Sequence, residues 1–369
     1  SQHQPAPAWS AEGVTITDLE DILVNLKDGV NGTTQNDKEG GKGEGVEAVE
    51  KWFVDRQIRT QDPGWVPGTF ASGKTDVVGS LLSRMDVMTF ESRKCLGVVL
   101  SVVCKSLVRK HASRGSGGGG GGKEEEEGNG VVVETEEDMI IQPGHIEMLV
   151  DFSLAPDTAL PAGQVLRAGL MWRRNLEGFL SSVGGSFWEG LGSSNFEIAS
   201  DSFQTLRYSL VHNRKISSAH LSSHYAPFFA LYAGLLRSQS YITRRLSLKL
   251  LGEVLLMRDN FRVMMRYISS RDNLITMMEL LRDGKANIQY EAFHVFKVFV
   301  ANPRKSEEVS KILVMNKEKL IKYLEGFHKE REGEGQFREE KELVINTLRG
   351  MERGEGGGKE GGDNTNATT

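Results

Sequence analysis

The residues with the clearest chemical promise lie at 68–75. The run Gly-Thr-Phe-Ala-Ser-Gly-Lys-Thr fits the pattern G-x-x-x-x-G-K-[ST], with Gly68, Gly73, Lys74 and Thr75 at the fixed positions. In a nucleotide site such a loop turns its backbone N–H groups onto phosphates. The lysine reaches the terminal phosphates and the threonine hydroxyl holds magnesium. A helix predicted over 75–88 is the element that should follow. The element that should precede is missing. A phosphate loop leaves a buried parallel strand, whereas 60–67 (TQDPGWVP) carries two prolines and no apolar run. No later strand ends in an aspartate that could hold the metal, and strand and helix patterns never alternate. The run therefore reads as a surface loop. A P-loop nucleotide hydrolase centred on Lys74 stays as a competing reading, and it predicts ATP or GTP binding that Lys74→Ala abolishes.

Other catalytic constellations are absent. The 8 His are scattered and none forms a His-Glu-x-x-His pair. His294 sits in a run that is apolar on nearly all sides and reads as a core histidine. Cys95 and Cys104 are too few for a disulfide framework or a zinc site, and they fit a reducing, cytoplasmic setting. No D-x-[DN]-x-[DN]-G calcium loop occurs. The residues ask for no catalytic group, metal or cofactor, and predict a protein that is not an enzyme.

Helices are the elements that would position any site. Hydrophobic residues make up 38% of the 369, and most of the 42 Gly crowd into 1–45, 113–143 and 333–369. A six-glycine run followed by glutamates at 124–127 makes 113–143 a low-complexity insertion. The tails at 1–45 and 351–369 read as mostly disordered, with one helical stripe at 16–27. No apolar run reaches the ~18 residues of a membrane span, and no secretory signal is visible. A formal net charge of −5 argues against general nucleic-acid binding.

Helices are predicted over 91–111, 145–152, 158–172 and 175–183. They continue over 196–212, 217–237, 240–257, 259–269, 272–283, 286–302, 305–315, 316–328 and 336–350, and 46–60 could add a short one. The starts at 196, 240 and 286 repeat at about the 40–47-residue period of armadillo and HEAT repeats. Gly163, Gly169 and Gly178 each weaken their helices by roughly 1 kcal/mol against Ala. The expectation is an all-α, armadillo/HEAT-like helical-repeat solenoid over 46–350, monomeric by itself. An irregular helical bundle is the alternative.

One predicted helix carries a surface that looks like binding. Along 240–257, Tyr241, Arg245 and Lys249 are four apart and form one ridge, while Leu246, Leu250, Leu251, Val254 and Leu255 cover the opposite arc. Arg258 and Phe261 then bring a cation and an aromatic ring together at the next helix start. Such a ridge suits an acidic peptide with aromatic anchors. A solvated basic face is the bland reading. A generic peptide-carrying adaptor would bind basic cargo through acidic or Asn ridges, which this basic ridge argues against.

Three longer runs carry a resemblance. SNFEIASDSFQTLRYSLVHNRK, YITRRLSLKLLGEVLLMRDNF and NIQYEAFHVFKVFVANPRK closely resemble the calcium-binding protein 39 family, also called mouse protein 25. Its fungal members are Hym-type conidiophore development proteins. The resemblance is strong over about 195–350 and poor between 112 and 195, and the insertion at 113–143 departs from the family pattern. It implies an armadillo-like scaffold without enzymatic activity. Family members bind sterile-twenty-type (germinal-centre) kinases and a related pseudokinase, hold the kinase domain closed and active, and grip a C-terminal Trp-Glu-Phe-type tail. The resemblance maps the tail pocket onto Tyr241, Arg245, Lys249 and Met278. It maps the kinase contact onto Arg258 and Phe261. A basic position on the pocket rim is Met315 here, which implies a weaker grip on the acidic end of the tail.

Overall fold

The computed structural model describes residues 139–182 and 185–351, together with Val133 and positions scattered over 77–108. The candidate phosphate loop (Gly68, Gly73, Lys74, Thr75), the stripe at 16–27, the segment 46–60, both tails and the Gly/Glu run lie outside the described residues. The described chain is all-α. Its single β-bridge joins Val133 to Trp172. It divides into two compact units, Ser1–Phe261 and Arg262–Thr369.

In the first unit the helices are α1 (Val77–Leu82), α2 (Pro143–Phe152), α3 (Ala159–Gly169), α4 (Arg173–Ser182), α5 (Ser186–Leu191), α6 (Phe196–Val211), α7 (Arg214–Ser223), α8 (Tyr225–Leu236) and α9 (Tyr241–Leu256). A 3-10 turn, Arg258–Asn260, follows. Helical residues between 90 and 108 bury Leu96, Leu100, Cys104 and Val108, a stripe with a spacing of four. α6 is the hub and packs on α3, α5, α7 and α9. The Asn195 side chain caps it by accepting from the N–H groups of Glu197 and Ile198. Arg167 of α3 pairs with Asp201 of α6 at 2.9 Å and donates to the Thr205 hydroxyl at 2.8 Å. Burial pushes the Asp201 carboxyl up against the opposing pull of Arg167. On the far side of α6, Arg207 grips Glu253 of α9 with two bonds of 2.8 and 2.6 Å.

The second unit holds α10 (Phe261–Ile268, whose first residue closes the first unit), α11 (Arg271–Leu280), α12 (Ala286–Ala301), α13 (Glu307–Glu325) and α14 (Gly335–Gly350). Ser270 caps α11 and Ser306 caps α13. α12 is the apolar centre predicted from sequence. It packs on α11 and α14, and Phe293, Phe296 and Phe299 are wholly buried. Phe327 and Phe337 close around Phe293 at ring distances of 5.7 and 5.3 Å. The starts at Phe196, Tyr241 and Ala286 keep the repeat, at 45 residues per step.

Several expectations need correcting. The helix predicted over 217–237 breaks at His224, whose backbone (φ −110°, ψ 29°) leaves the helical region. Pro227 explains the break. Its ring would clash with the carbonyl four residues back and it has no N–H to donate, so α8 must start just before it. The helices predicted over 305–315 and 316–328 are one, α13. Asn316 does not interrupt it, because its amide donates to the Ile312 carbonyl within the helix at 2.8 Å. The helix predicted over 75–88 stops at Leu82 and turns. His294 is half-buried rather than core, beside Lys297 at 3.3 Å and Glu340 at 3.6 Å.

The glycines of the middle segment also read differently. A Cβ at Gly163 would sit 1.7 Å from Asp201 Oδ2. One at Gly169 would sit 2.7 Å from Ile141, and one at Gly190 would sit 2.6 Å from Leu154 and Ser202. These positions need glycine because side chains from a neighbouring segment come that close. α5, which contains Gly190, forms where sequence predicted nothing. Phe187 packs edge-on against Phe179 at 5.0 Å, and Trp188 against Phe228 at 5.8 Å.

Candidate partner-binding surfaces

α9 begins at a cap made by Ser240, whose hydroxyl accepts from the Thr243 N–H. Its inner side is pinned by polar bonds as well as leucines. Thr243 donates to the Leu191 carbonyl at 3.3 Å, and the Tyr232 hydroxyl donates to the Ser247 carbonyl at 2.8 Å. Leu250, Leu251, Val254 and Leu255 are buried as predicted. Leu246 is only half-buried, and Leu248 takes a core place instead. With that side fixed, the opposite face presents Arg245 and Lys249 exposed and Tyr241 half-buried. Leu256 continues the same face two turns on and is 56% exposed.

The chain then enters the 3-10 turn. Arg258 and Asp259 are exposed, Asn260 is fully buried, and Phe261 is 53% exposed. The structure thus brings Arg258 and Phe261 together on one turn at the end of α9. Met278, the fourth residue mapped to the tail pocket, lies on α11 in the second unit.

There Met278 lines a groove of about 640 Å³ between α11 and α13. Ile275, Leu281, Ile312 and Leu320 add apolar lining, while Arg271, Arg282 and Lys319 set three cations against the single carboxylate of Glu279. The Tyr323 hydroxyl donates to the Leu281 carbonyl at one wall. Burial raises its phenol above the usual range, with Arg282 acting against the shift. Met315 sits beside this lining on α13 and is 71% exposed. Apart from Met278, sequence reasoning missed the groove. The signal was present: Ile312, Asn316, Lys319 and Tyr323 follow a helical i, i+4, i+7, i+11 spacing, which a split at 315/316 concealed.

Among the described residues, no three His, Cys, Asp or Glu gather where they could hold a metal ion, and no helix is long and apolar enough to cross a membrane. The surfaces can bind by charge, by aromatic contact and by an apolar groove.

Known proteins are similar to this chain in sequence. The Mo25-like family profile matches residues 70–352, including the glycine-bearing middle segment. A Mo25-like protein of Schizosaccharomyces pombe is 40% identical over 270 residues, covering 73% of this chain and 75% of that protein. The human calcium-binding protein 39-like is 41% identical over 220 residues, 59% of this chain and 65% of its own. Conidiophore development protein hymA of Emericella nidulans is 42% identical over 163 residues, 44% of this chain and 42% of its own. The matched region thus spans less than two thirds of the length of two of these three relatives. With a family profile matched over most of its length and a helical-repeat fold to carry it, this chain belongs to the Mo25-like family.

Proposed function

We propose that this chain is a non-catalytic cytoplasmic scaffold that binds a sterile-twenty-type protein kinase or pseudokinase and stabilises its active conformation. The reading is carried by the exposed Arg245 and Lys249 beside half-buried Tyr241 on α9, in a chain of the Mo25-like family. Arg245 and Lys249 pair with the acidic residue of a Trp-Glu-Phe-like tail, and the Arg fork suits a carboxylate. Met278 and the apolar lining of its groove take an aromatic side chain of that tail. Arg258 and Phe261 press on the kinase domain. The working scaffold is the stretch 46–350.

Activation follows from differential binding. A scaffold with equal affinity for both kinase states shifts nothing. Moving a kinase from 1:99 to 99:1 active takes about 10⁴-fold tighter binding to the active state, or about 5.5 kcal/mol. That difference must come from the contacts with the kinase domain, here Arg258 and Phe261, while the grip on the tail adds affinity and holds the domain in reach. A fungal relative is named for conidiophore development, which supports a role in morphogenesis and cell-polarity signalling.

The test is co-purification and affinity measurement with a sterile-twenty-type kinase. Arg245→Ala combined with Met278→Ala should weaken binding at least tenfold, about 1.4 kcal/mol. Unchanged affinity in that double variant removes the tail assignment.

A further inference from the structure

We propose that Asn260 is a positioning residue. Together with Ser218 it locks the turn at 257–261, so that Arg258 and Phe261 meet a partner as one preformed pair. The proposal rests on the reading of those two residues as partner contacts.

The geometry at the end of α9 carries it. Three side chains there have the make-up of binding anchors: Leu256 and Phe261, both more than half exposed, and Arg258 between them. Anchors bind best when they need no ordering on contact, since each side chain or loop fixed at that moment costs affinity. A chain leaving a helix is ordinarily the place where order is lost, because the last carbonyls have no partner within the helix. Here one of them, at Val254, and two carbonyls of the turn that follows are tied down. Asn260 is wholly buried, and its Nδ2 reaches back to donate to the Val254 carbonyl at 2.8 Å. Its own N–H donates to the Met257 carbonyl at 3.0 Å. From outside the turn, the Ser218 hydroxyl on α7 donates to the Asp259 carbonyl at 2.7 Å. The residues on either side of Asn260 therefore have little freedom to move apart.

Stability alone does not account for an asparagine there. Its Oδ1 is buried without a hydrogen-bond partner, which carries a desolvation cost that an apolar residue of similar size would avoid. What an apolar residue cannot do is hold the Val254 carbonyl and so fix the shape of the turn. The side chain points inward, and its effect appears in the two residues that point outward.

Two variants, Asn260→Ser and Ser218→Ala, test this in the full chain, each removing a different tether. Amide hydrogen exchange at positions 260 and 261 should quicken at least tenfold in both, while the interior of α9 around Leu248 keeps its wild-type rate. Affinity for a purified sterile-twenty-type kinase domain should fall at least fivefold in both. In an Arg258→Ala/Phe261→Ala background, adding Asn260→Ser should cause no further loss. A further loss there marks a general structural effect and overturns the proposal, as does unchanged exchange in either variant. Unchanged affinity of Asn260→Ser, where Arg258→Ala/Phe261→Ala binds weakly, overturns it as well. If Arg258→Ala/Phe261→Ala binds like wild type, the kinase contact itself is wrong and the positioning role falls with it.

Discussion

Gly163 and Gly178 are the same residue type in neighbouring helices, and they call for opposite substitutions. At Gly163 a methyl group would meet the Asp201 carboxylate, whose partner Arg167 holds it in place. Gly163→Ala is expected to lower stability by about 1–3 kcal/mol in urea unfolding, the range of an overpacked core. At Gly178 nothing lies within 4 Å, and the position faces solvent. Gly178→Ala should raise stability by up to about 1 kcal/mol. Propensity was legible at both positions. The close approach at Gly163 was not, because it depends on a carboxylate brought in by another helix. Titration is a second effect at this scale. Burial holds His212, His220 and His294 below the ordinary value of 6.5, with help from His224 at His220 and from Lys297 at His294. The folded chain therefore keeps these rings neutral while the unfolded chain takes up protons. Their contribution is fully present above pH 6.5 and is lost as pH falls below it. Thermal melts between about pH 7.5 and 5.5 should show Tm falling toward acid, and His294→Gln should make the slope shallower.

Helix ends marked by their own chemistry are legible in the sequence. Asn195, Ser240 and Ser306 sit just ahead of amphipathic runs and cap them as their side chains allow. Elements held together by their neighbours are harder to read. α5 is six residues long and glycine-bearing, and it exists because Phe187 and Trp188 find aromatic partners. α13 runs unbroken through Asn316, which makes that position a helix interior and not a joint. Asn316→Pro should thus cost about 3 kcal/mol or more, measured by chemical denaturation. A proline tolerated there would mean the two-helix division is the true one. The candidate site follows the same rule. The α9 face could be read from its spacing, while the groove beside Met278 needs α11 and α13 to meet, which no single periodicity reveals.

For the whole molecule, the repeat period was legible because α6, α9 and α12 start 45 residues apart in the structure, close to the spacing read from the sequence. Helices α2 to α5 form on the C-terminal side of the long insertion. Val108 is the last described residue before its Gly/Glu run and Val133 the first described residue after that run. There the Val133 N–H donates to the Met171 carbonyl at 3.0 Å, and its carbonyl accepts from the Arg173 N–H at 3.1 Å. Closing a loop costs only the logarithm of its length, about 0.6 kcal/mol per doubling. Deleting 115–130 should therefore change unfolding stability by less than about 1 kcal/mol and leave partner binding intact. A larger loss, read by calorimetry, would give the insertion a structural role.

Both cysteines of the chain, Cys95 and Cys104, fall in the first unit, and the second unit has none. Cys104 is wholly enclosed, and burial drives its thiol far above the usual range, so in the folded state it is neither reachable nor ionised. In a Cys95→Ser background this sulfur becomes an internal clock. A thiol reagent can mark it only when the structure around it opens, so the labelling rate reports how readily that part of the first unit opens. Added partner should slow the clock in proportion to its hold on the first unit, which yields a binding measurement with no attached probe.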